Sequence, residues 1–329
     1  MAGSGAAEAV SGPRVLFFGG KGGVGKTTLA GAAALALADD GLRTLLVSTD
    51  PAHSTGDLLD LALGDDPRLV TERLWAVEID PAAEADRYIQ GVKDRLADVT
   101  PPRLLGEVER QIDIARVTPG AEEAALFDRF ARILEGDLAT HDRLVFDTAP
   151  LGHTLRLLAL PEQMDAWMAG LVARRRQVTV LGRAWRRVSG AAAASEERAD
   201  PVLAALDARR ARFQQARRLL TDAARCQFHF VLIPERLPIL ETERAVTTLE
   251  SYGIRVGSMF VNRVLPDDAD GAFLARRRER ERAYLRRIDQ RLGRYPIVRV
   301  PLLDADVAGL GALRALRPYI RPALFPGLG

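Results

Sequence analysis

A chain of 329 residues with 47% hydrophobic side chains can bury a sizeable core, in one large α/β domain or two smaller ones. Its net charge of +2 excludes an overall field that would gather nucleic acid, and its single cysteine, Cys226, excludes a disulfide framework or a four-cysteine metal site within one chain. No run of 18 apolar residues is present to span a membrane, so a cytoplasmic protein is expected.

Residues 1–13, "MAGSGAAEAVSGP", have neither a basic start nor an apolar stretch and read as a flexible tail rather than a signal peptide. "RVLFFGG" (14–20) is a short apolar run ending in glycines, the pattern of a buried strand. An alanine-rich helix is predicted over 27–41, with Gly41 at its C-cap. Buried strands follow at "TLLVSTD" (44–50), "LWAVEID" (74–80), "RLVFDTAP" (143–150), "FHFVLIP" (228–234), "VGSMFVN" (256–262) and "PIVRVP" (296–301). Strands alternating with helical stretches predict a doubly wound, mostly parallel α/β sheet, whose ligands bind at the carboxyl ends of the strands.

Two stretches break that rhythm. Residues 82–140 and 155–225 are too long for single crossovers and predict a helical subdomain inserted into one α/β domain over 14–320, with a C-terminal tail at 321–329. Met164, Trp167, Met168, Leu171 and Val172 keep helical spacing, as do Val178, Leu181, Trp185 and Val188. They could pack the insert's own core or line an apolar groove. Residues 171–225 carry 13 arginines against 5 acids, and 276–294 carry 9 against 3. Such stretches form either a solvated helical face or a contact for an acidic partner or anionic lipid.

The chemistry starts at Gly20-Lys21-Gly22-Gly23-Val24-Gly25-Lys26-Thr27, which fits the G-x-x-x-x-G-K-[ST] phosphate loop with a strand before it and a helix after it. Backbone N–H groups and the helix N-terminus, through Thr28, would surround phosphate. Lys26 would neutralise the β and γ oxygens, and the Thr27 hydroxyl would bind Mg²⁺. Lysine is scarce here, with Lys21, Lys26 and Lys93 the only three, yet two fall within one six-residue loop. A compact ammonium fits a backbone cradle where a guanidinium would not, so both are expected to meet phosphate. Asp50 and Asp147 each close a strand. Either alone could cap a helix or shape a turn. Two at two strand ends favour a site in which Asp147, like a Walker-B carboxylate, acts on Mg²⁺ through water, and Asp50 accepts a hydrogen bond from the attacking water. His53 and His153 read as structural hydrogen-bonders.

"GGKGGVGKTT", "STDPAHS" and "DTAPLGHTLRLL" together resemble the ArsA family of P-loop ATPases, which includes the arsenite-pump ATPase and the ATPase that targets tail-anchored membrane proteins. "LPILETERA" (237–245), "FVNRVLP" (260–266) and "VPLLDADVAGL" (300–310) resemble its later motifs, so the likeness runs from about residue 14 to 316. The resemblance implies a homodimer that clamps two MgATP face to face, with Lys21 reaching the partner's nucleotide. It implies Asp50 as the water-activating residue and Asn262 as the adenine-reading residue. It places Pro301 and Leu302 in the base-covering loop, and the two aspartate motifs in switch loops.

The chain departs from the family in three places. One cysteine cannot supply the three thiolates that bind arsenite in the pump members. Residues 271–280 lack the C-x-x-C that bridges eukaryotic targeting dimers with zinc, so no zinc site is expected. The insert holds only Met164 and Met168 where the targeting ATPases have a methionine-rich groove. The expectation is a dimeric Mg-ATPase handling an apolar client. The alternatives are the energising subunit of an arsenite or anion pump, or a ParA/MinD-like positioning switch. "RPYIRPALFPGLG" reads as too proline-broken for the C-terminal amphipathic helix that the last would use on a membrane.

Overall fold

The computed structural model describes residues 12–50, 54–97, 106, 110, 121–148, 201–268 and 270–324. These fall into two compact units, one holding 12–81, 136–148 and 219–324 and the other holding 82–97, 121–135 and 201–218.

The first unit is built on an eight-stranded sheet. Its strands are β1 (Val15–Gly20), β2 (Thr44–Ser48), β3 (Arg68–Thr71), β4 (Leu74–Glu78), β5 (Arg143–Asp147), β6 (Cys226–Leu232), β7 (Val256–Val264) and β8 (Ile297–Pro301). They lie in the order β3-β4-β2-β5-β1-β6-β7-β8. Neighbours pair in parallel except β3, which runs antiparallel to β4. The strand-and-helix alternation is thus realised as the expected doubly wound α/β sheet. The antiparallel edge strand is an addition that the periodicity did not reveal. β1 is buried along its whole length, as a strand covered on both faces requires.

Alternation along β1 assigns its two faces. Leu16 and Phe18 join the core around α1 (Lys26–Asp39), while Phe17 stacks on Phe146 at 4.8 Å and on Phe228 at 5.8 Å. α1 is apolar all round, so it is a buried helix rather than an amphipathic one. It ends one residue earlier than predicted, with Asp40 at the C-cap and Gly41 following at φ 92°. α2 (Ser54–Leu59) packs against it.

On other connections lie α6 (Arg236–Ser251), which packs on β6 and β7, and α7 (Ala272–Leu292), which packs on α6. The chain closes with α8 (Gly309–Ala315) and α9 (Arg317–Leu324), both seated on α1. Here the structure corrects two expectations. Residues 321–324 are not a tail, because Ala323 and Leu324 are buried in the core around α1. The prolines do not prevent a helix: Pro318 sits in its first turn, where no N–H is needed, and Pro322 is tolerated near its end. Arg314 pairs with Asp39 at 2.8 Å, and Arg317 and Arg321 both pair with Asp40, fastening both helices to the end of α1.

The second unit comprises α3 (Pro81–Ala97), the first three-quarters of α4 (Ala121–Thr140) and most of α5 (Pro201–Thr221). Phe127 meets Phe213 edge-on at 4.7 Å. Around that contact runs an ionic network: the buried Glu84 holds Arg132 at 2.6 Å and Arg87 at 2.7 Å, and Asp128 receives Arg132, Arg209 and Arg212. Burial lowers the Arg209 guanidinium to about 10, and its carbon lies 4.4 Å from the Tyr88 ring centre. The stripes between residues 164 and 188, His53 and His153 lie outside the described residues. Among the described residues no helix is long and apolar enough to cross a membrane.

Candidate functional site

The carboxyl ends of β1, β2, β5 and β7 converge on the loop between β1 and α1. Gly20 must be glycine: a Cβ there would stand 2.2 Å from the Val231 carbonyl oxygen of the adjacent strand β6. Gly25 adopts φ 94° as the N-cap of α1, a left-handed conformation that suits a residue without Cβ. Lys26 opens the helix and is buried. Its ammonium lies 3.8 Å from the Asp50 carboxylate, just past the end of β2. The Thr27 hydroxyl lies 3.1 Å from that of Ser54, on α2. Thr28 follows in the first turn, where the helix N–H groups have no intrahelical acceptor.

Asp147 ends β5 and is fully buried. Neither of its carboxylate oxygens has a hydrogen-bond partner among the described residues. Burial drives its carboxyl up to about 7. The nearby Thr27 hydroxyl and the Lys26 ammonium oppose that rise, and the Asp50 and Glu78 charges add to it. A buried, orphaned carboxylate beside a threonine hydroxyl at a helix N-terminus fits a hard cation that keeps most of its water, as Mg²⁺ does. The glycine-rich turn with a buried lysine fits a polyphosphate.

Asn262, on β7, donates from Nδ2 to the Val24 carbonyl of the loop at 2.9 Å, and its Oδ1 accepts from the Arg263 N–H at 2.9 Å. Pro301 ends β8 opposite Val264, and the N–H of the half-exposed Leu302 donates to the Val264 carbonyl at 2.8 Å. Lys21 stands apart: its ammonium pairs at 3.0 Å with Glu241 on α6. The structure therefore brings Lys26, Thr27, Asp50 and Asp147 together, sets Asn262 on the loop, and holds Lys21 on a carboxylate of its own chain.

Three neighbours of the site were not singled out by the sequence. Glu78, at the end of β4, accepts from the Thr55 N–H at 3.1 Å. Its place at a strand end, like those of the two aspartates, was the available signal. Ser54 lies inside the "STDPAHS" motif and Glu241 inside "LPILETERA".

Cys226 opens β6 and is fully buried, which pushes its thiol up and keeps it protonated. His229, also on β6, is fully buried between Phe18 and Phe260, and burial lowers its pKa to about 4. Its Nδ1 accepts from the Ser258 N–H at 3.0 Å.

The family described as Anion-transporting ATPase matches residues 13–321. "Putative arsenical pump-driving ATPase 2" of Aquifex aeolicus (strain VF5) is 34% identical over 308 residues, covering 93% of this chain and 99% of that protein. "ATPase GET3B" of Arabidopsis thaliana is 33% identical over 334 residues, covering 95% and 80%. "ATPase ASNA1 homolog 1" of Paramecium tetraurelia is 30% identical over 302 residues, covering 91% and 89%. Likeness over nearly the whole length, on a fold whose glycine turn, buried lysine and orphaned aspartate meet at one sheet edge, makes this chain an ATP-hydrolysing member of the ArsA ATPase family.

Proposed function

We propose that the chain is a homodimeric Mg-ATPase whose cycle opens and closes its helical unit around an apolar client, such as the membrane segment of a tail-anchored protein. The observation that carries the ATPase part is the Lys26–Asp50–Asp147–Thr27 cluster at one sheet edge. Lys26 binds the β and γ oxygens. Thr27 and, through water, Asp147 would hold Mg²⁺, which would supply charge neutralisation on the phosphates. Asp50, already beside the Lys26 ammonium, accepts a hydrogen bond from the water that attacks the γ phosphorus. The Gly20–Thr28 turn donates its amides, with Asn262, Pro301 and Leu302 around the adenine. Lys21 exchanges Glu241 for the nucleotide of the partner subunit, so hydrolysis waits on assembly.

The client part rests on the family resemblance. The likeness to the Aquifex aeolicus protein, "Putative arsenical pump-driving ATPase 2", favours a second reading, a pump-driving ATPase. The buried, protonated Cys226 is the only thiol, which argues against arsenite capture by thiolates of this chain.

The test is kinetic and structural. Asp50→Asn should bind MgATP almost normally and lose turnover by a factor of about 100 or more. A photocrosslinker at position 21 should label nucleotide held by the other subunit. The client reading predicts capture of a fluorescent apolar helix with ADP–fluoroaluminate and release with ADP. Undiminished hydrolysis by Asp50→Asn, or crosslinking only within one subunit, would overturn the corresponding assignment, and capture indifferent to nucleotide would overturn the client cycle.

A further inference from the structure

We propose that Asn262 is a positioning residue for the phosphate cradle itself, clasping the loop so that its amides face the triphosphate whatever base is attached. This rests on the reading of the Gly20–Thr28 loop as a triphosphate site.

The argument begins with the amide's valences. A side-chain amide has two N–H donors and an oxygen with two lone pairs. In Asn262 one donor is given to the Val24 carbonyl and one lone pair to the Arg263 N–H, both at 2.9 Å. The two contacts fix which end of the amide is which, because the oxygen cannot face another carbonyl. One donor and one lone pair are left for a base. Asn262 thus has a structural task on the loop besides any contact with adenine.

The consequence lies in the peptide that it grips. The Val24–Gly25 bond is trans, so its C=O and N–H point to opposite sides. Holding the carbonyl towards β7 turns the Gly25 N–H the other way, and that N–H has no protein acceptor among the described residues. A glycine at φ 94° offers little resistance to a flip of the preceding peptide. The flip would replace an amide donor by a carbonyl oxygen, which repels phosphate. The fit is close enough to exclude a side chain at position 25, since a Cβ there would lie 2.3 Å from Asn262 Nδ2. The clasp joins residues 238 apart in sequence and is buried, so water competes poorly for the bond.

A residue that only reads adenine and one that holds the loop differ in what they do to a ligand without a base. Magnesium tripolyphosphate supplies that probe, its binding to the full-length chain read by competition with labelled ATP. Asn262→Ala should weaken tripolyphosphate by about threefold to tenfold, the span of one neutral hydrogen bond, and ATP by at least as much. Asn262→Asp keeps the shape but sets a carboxylate against the Val24 carbonyl, and should be at least as damaging. Asn262→Ser restores a donor and should recover part of the loss. Thermal midpoints confirm that each variant is folded, and if Asn262→Ala is not, the isosteric Asn262→Asp carries the comparison. Tripolyphosphate affinity unchanged in Asn262→Ala, or in Asn262→Asp, while ATP weakens would overturn the clasp and leave a base reader. A wild type that binds neither ligand would instead overturn the nucleotide reading of the site.

Discussion

Replacing Asp147 with asparagine should make the magnesium-free protein more stable while disabling the enzyme. Asp147 is fully buried at the end of β5, with no hydrogen-bond partner for either oxygen among the described residues. Its carboxyl, raised by burial from 3.8 to about 7, makes ionisation unfavourable in the folded chain. At ~1.4 kcal/mol for each tenfold change in proton affinity, the rise means that the charge opposes folding by about 4 kcal/mol above pH 7. The direction follows from proton counting. Between 3.8 and about 7 the folded chain keeps the proton that the unfolded chain has released, so stability falls as pH rises through that window. Asparagine removes the charge but leaves a buried amide short of partners, which costs about 1–3 kcal/mol. The net gain at pH 8 is therefore about 1–3 kcal/mol. Urea unfolding in EDTA should give Asp147→Asn the higher midpoint at pH 8, with the gap narrowing by pH 5. Mg²⁺ with ADP should stabilise the wild type more than the variant. A variant less stable than wild type at pH 8 in EDTA would refute the picture of an uncompensated carboxylate waiting for a cation.

Three further outcomes are expected. His229 is buried neutral with its pKa lowered from 6.5 to about 4, so its contribution is intact above pH 6.5 and is lost as pH falls towards 4, by up to about 3 kcal/mol. Urea midpoints of the wild type and His229→Gln between pH 7 and pH 4.5 should therefore converge on acidification, and curves that stay parallel would reject it. Gly20→Ala drives a methyl against the Val231 carbonyl and should destabilise the fold by about 3 kcal/mol or more; a normal melting temperature would contradict the close approach of β1 and β6. Arsenite should not raise ATPase activity, and activation that vanishes in Cys226→Ser would reverse that expectation.

The parallel strands were legible because each must be apolar on both faces. Phe17, Phe146 and Phe228 stack across β5, β1 and β6 on one face while Leu16 and Phe18 serve the other, and together they write an unbroken apolar run. β3 was not legible: four residues, none fully buried, become a strand only by pairing with β4. Lys26, Thr27, Asp50 and Asp147 could be gathered from sequence because the carboxyl ends of parallel strands share one edge, whatever the helices between them do. Glu241 could not be placed beside Lys21, nor Asn262 against Val24. Those pairs span 220 and 238 residues and depend on how the sheet is ordered, which local periodicity does not encode. The last helix was misjudged because proline was weighed as a breaker without regard to its place in the first turn.

The enclosure of α1 bears on where nucleotide-driven motion can occur. From Leu29 to Ala38 the helix presents no face to solvent, and most of its side chains are methyl groups without rotamers to freeze. A Cβ on Gly31 would come within 2.8 Å of Leu58, which measures how closely α2 lies against it. A helix packed on every side by the sheet, α2, α8 and α9 cannot tilt without opening voids. The amides at its N-terminus are therefore set in place when the chain folds, and their ordering entropy is not lost again when phosphate arrives. The cradle acts as a fixed anvil, and any movement triggered by the γ phosphate must be made by the segments that lead away from it.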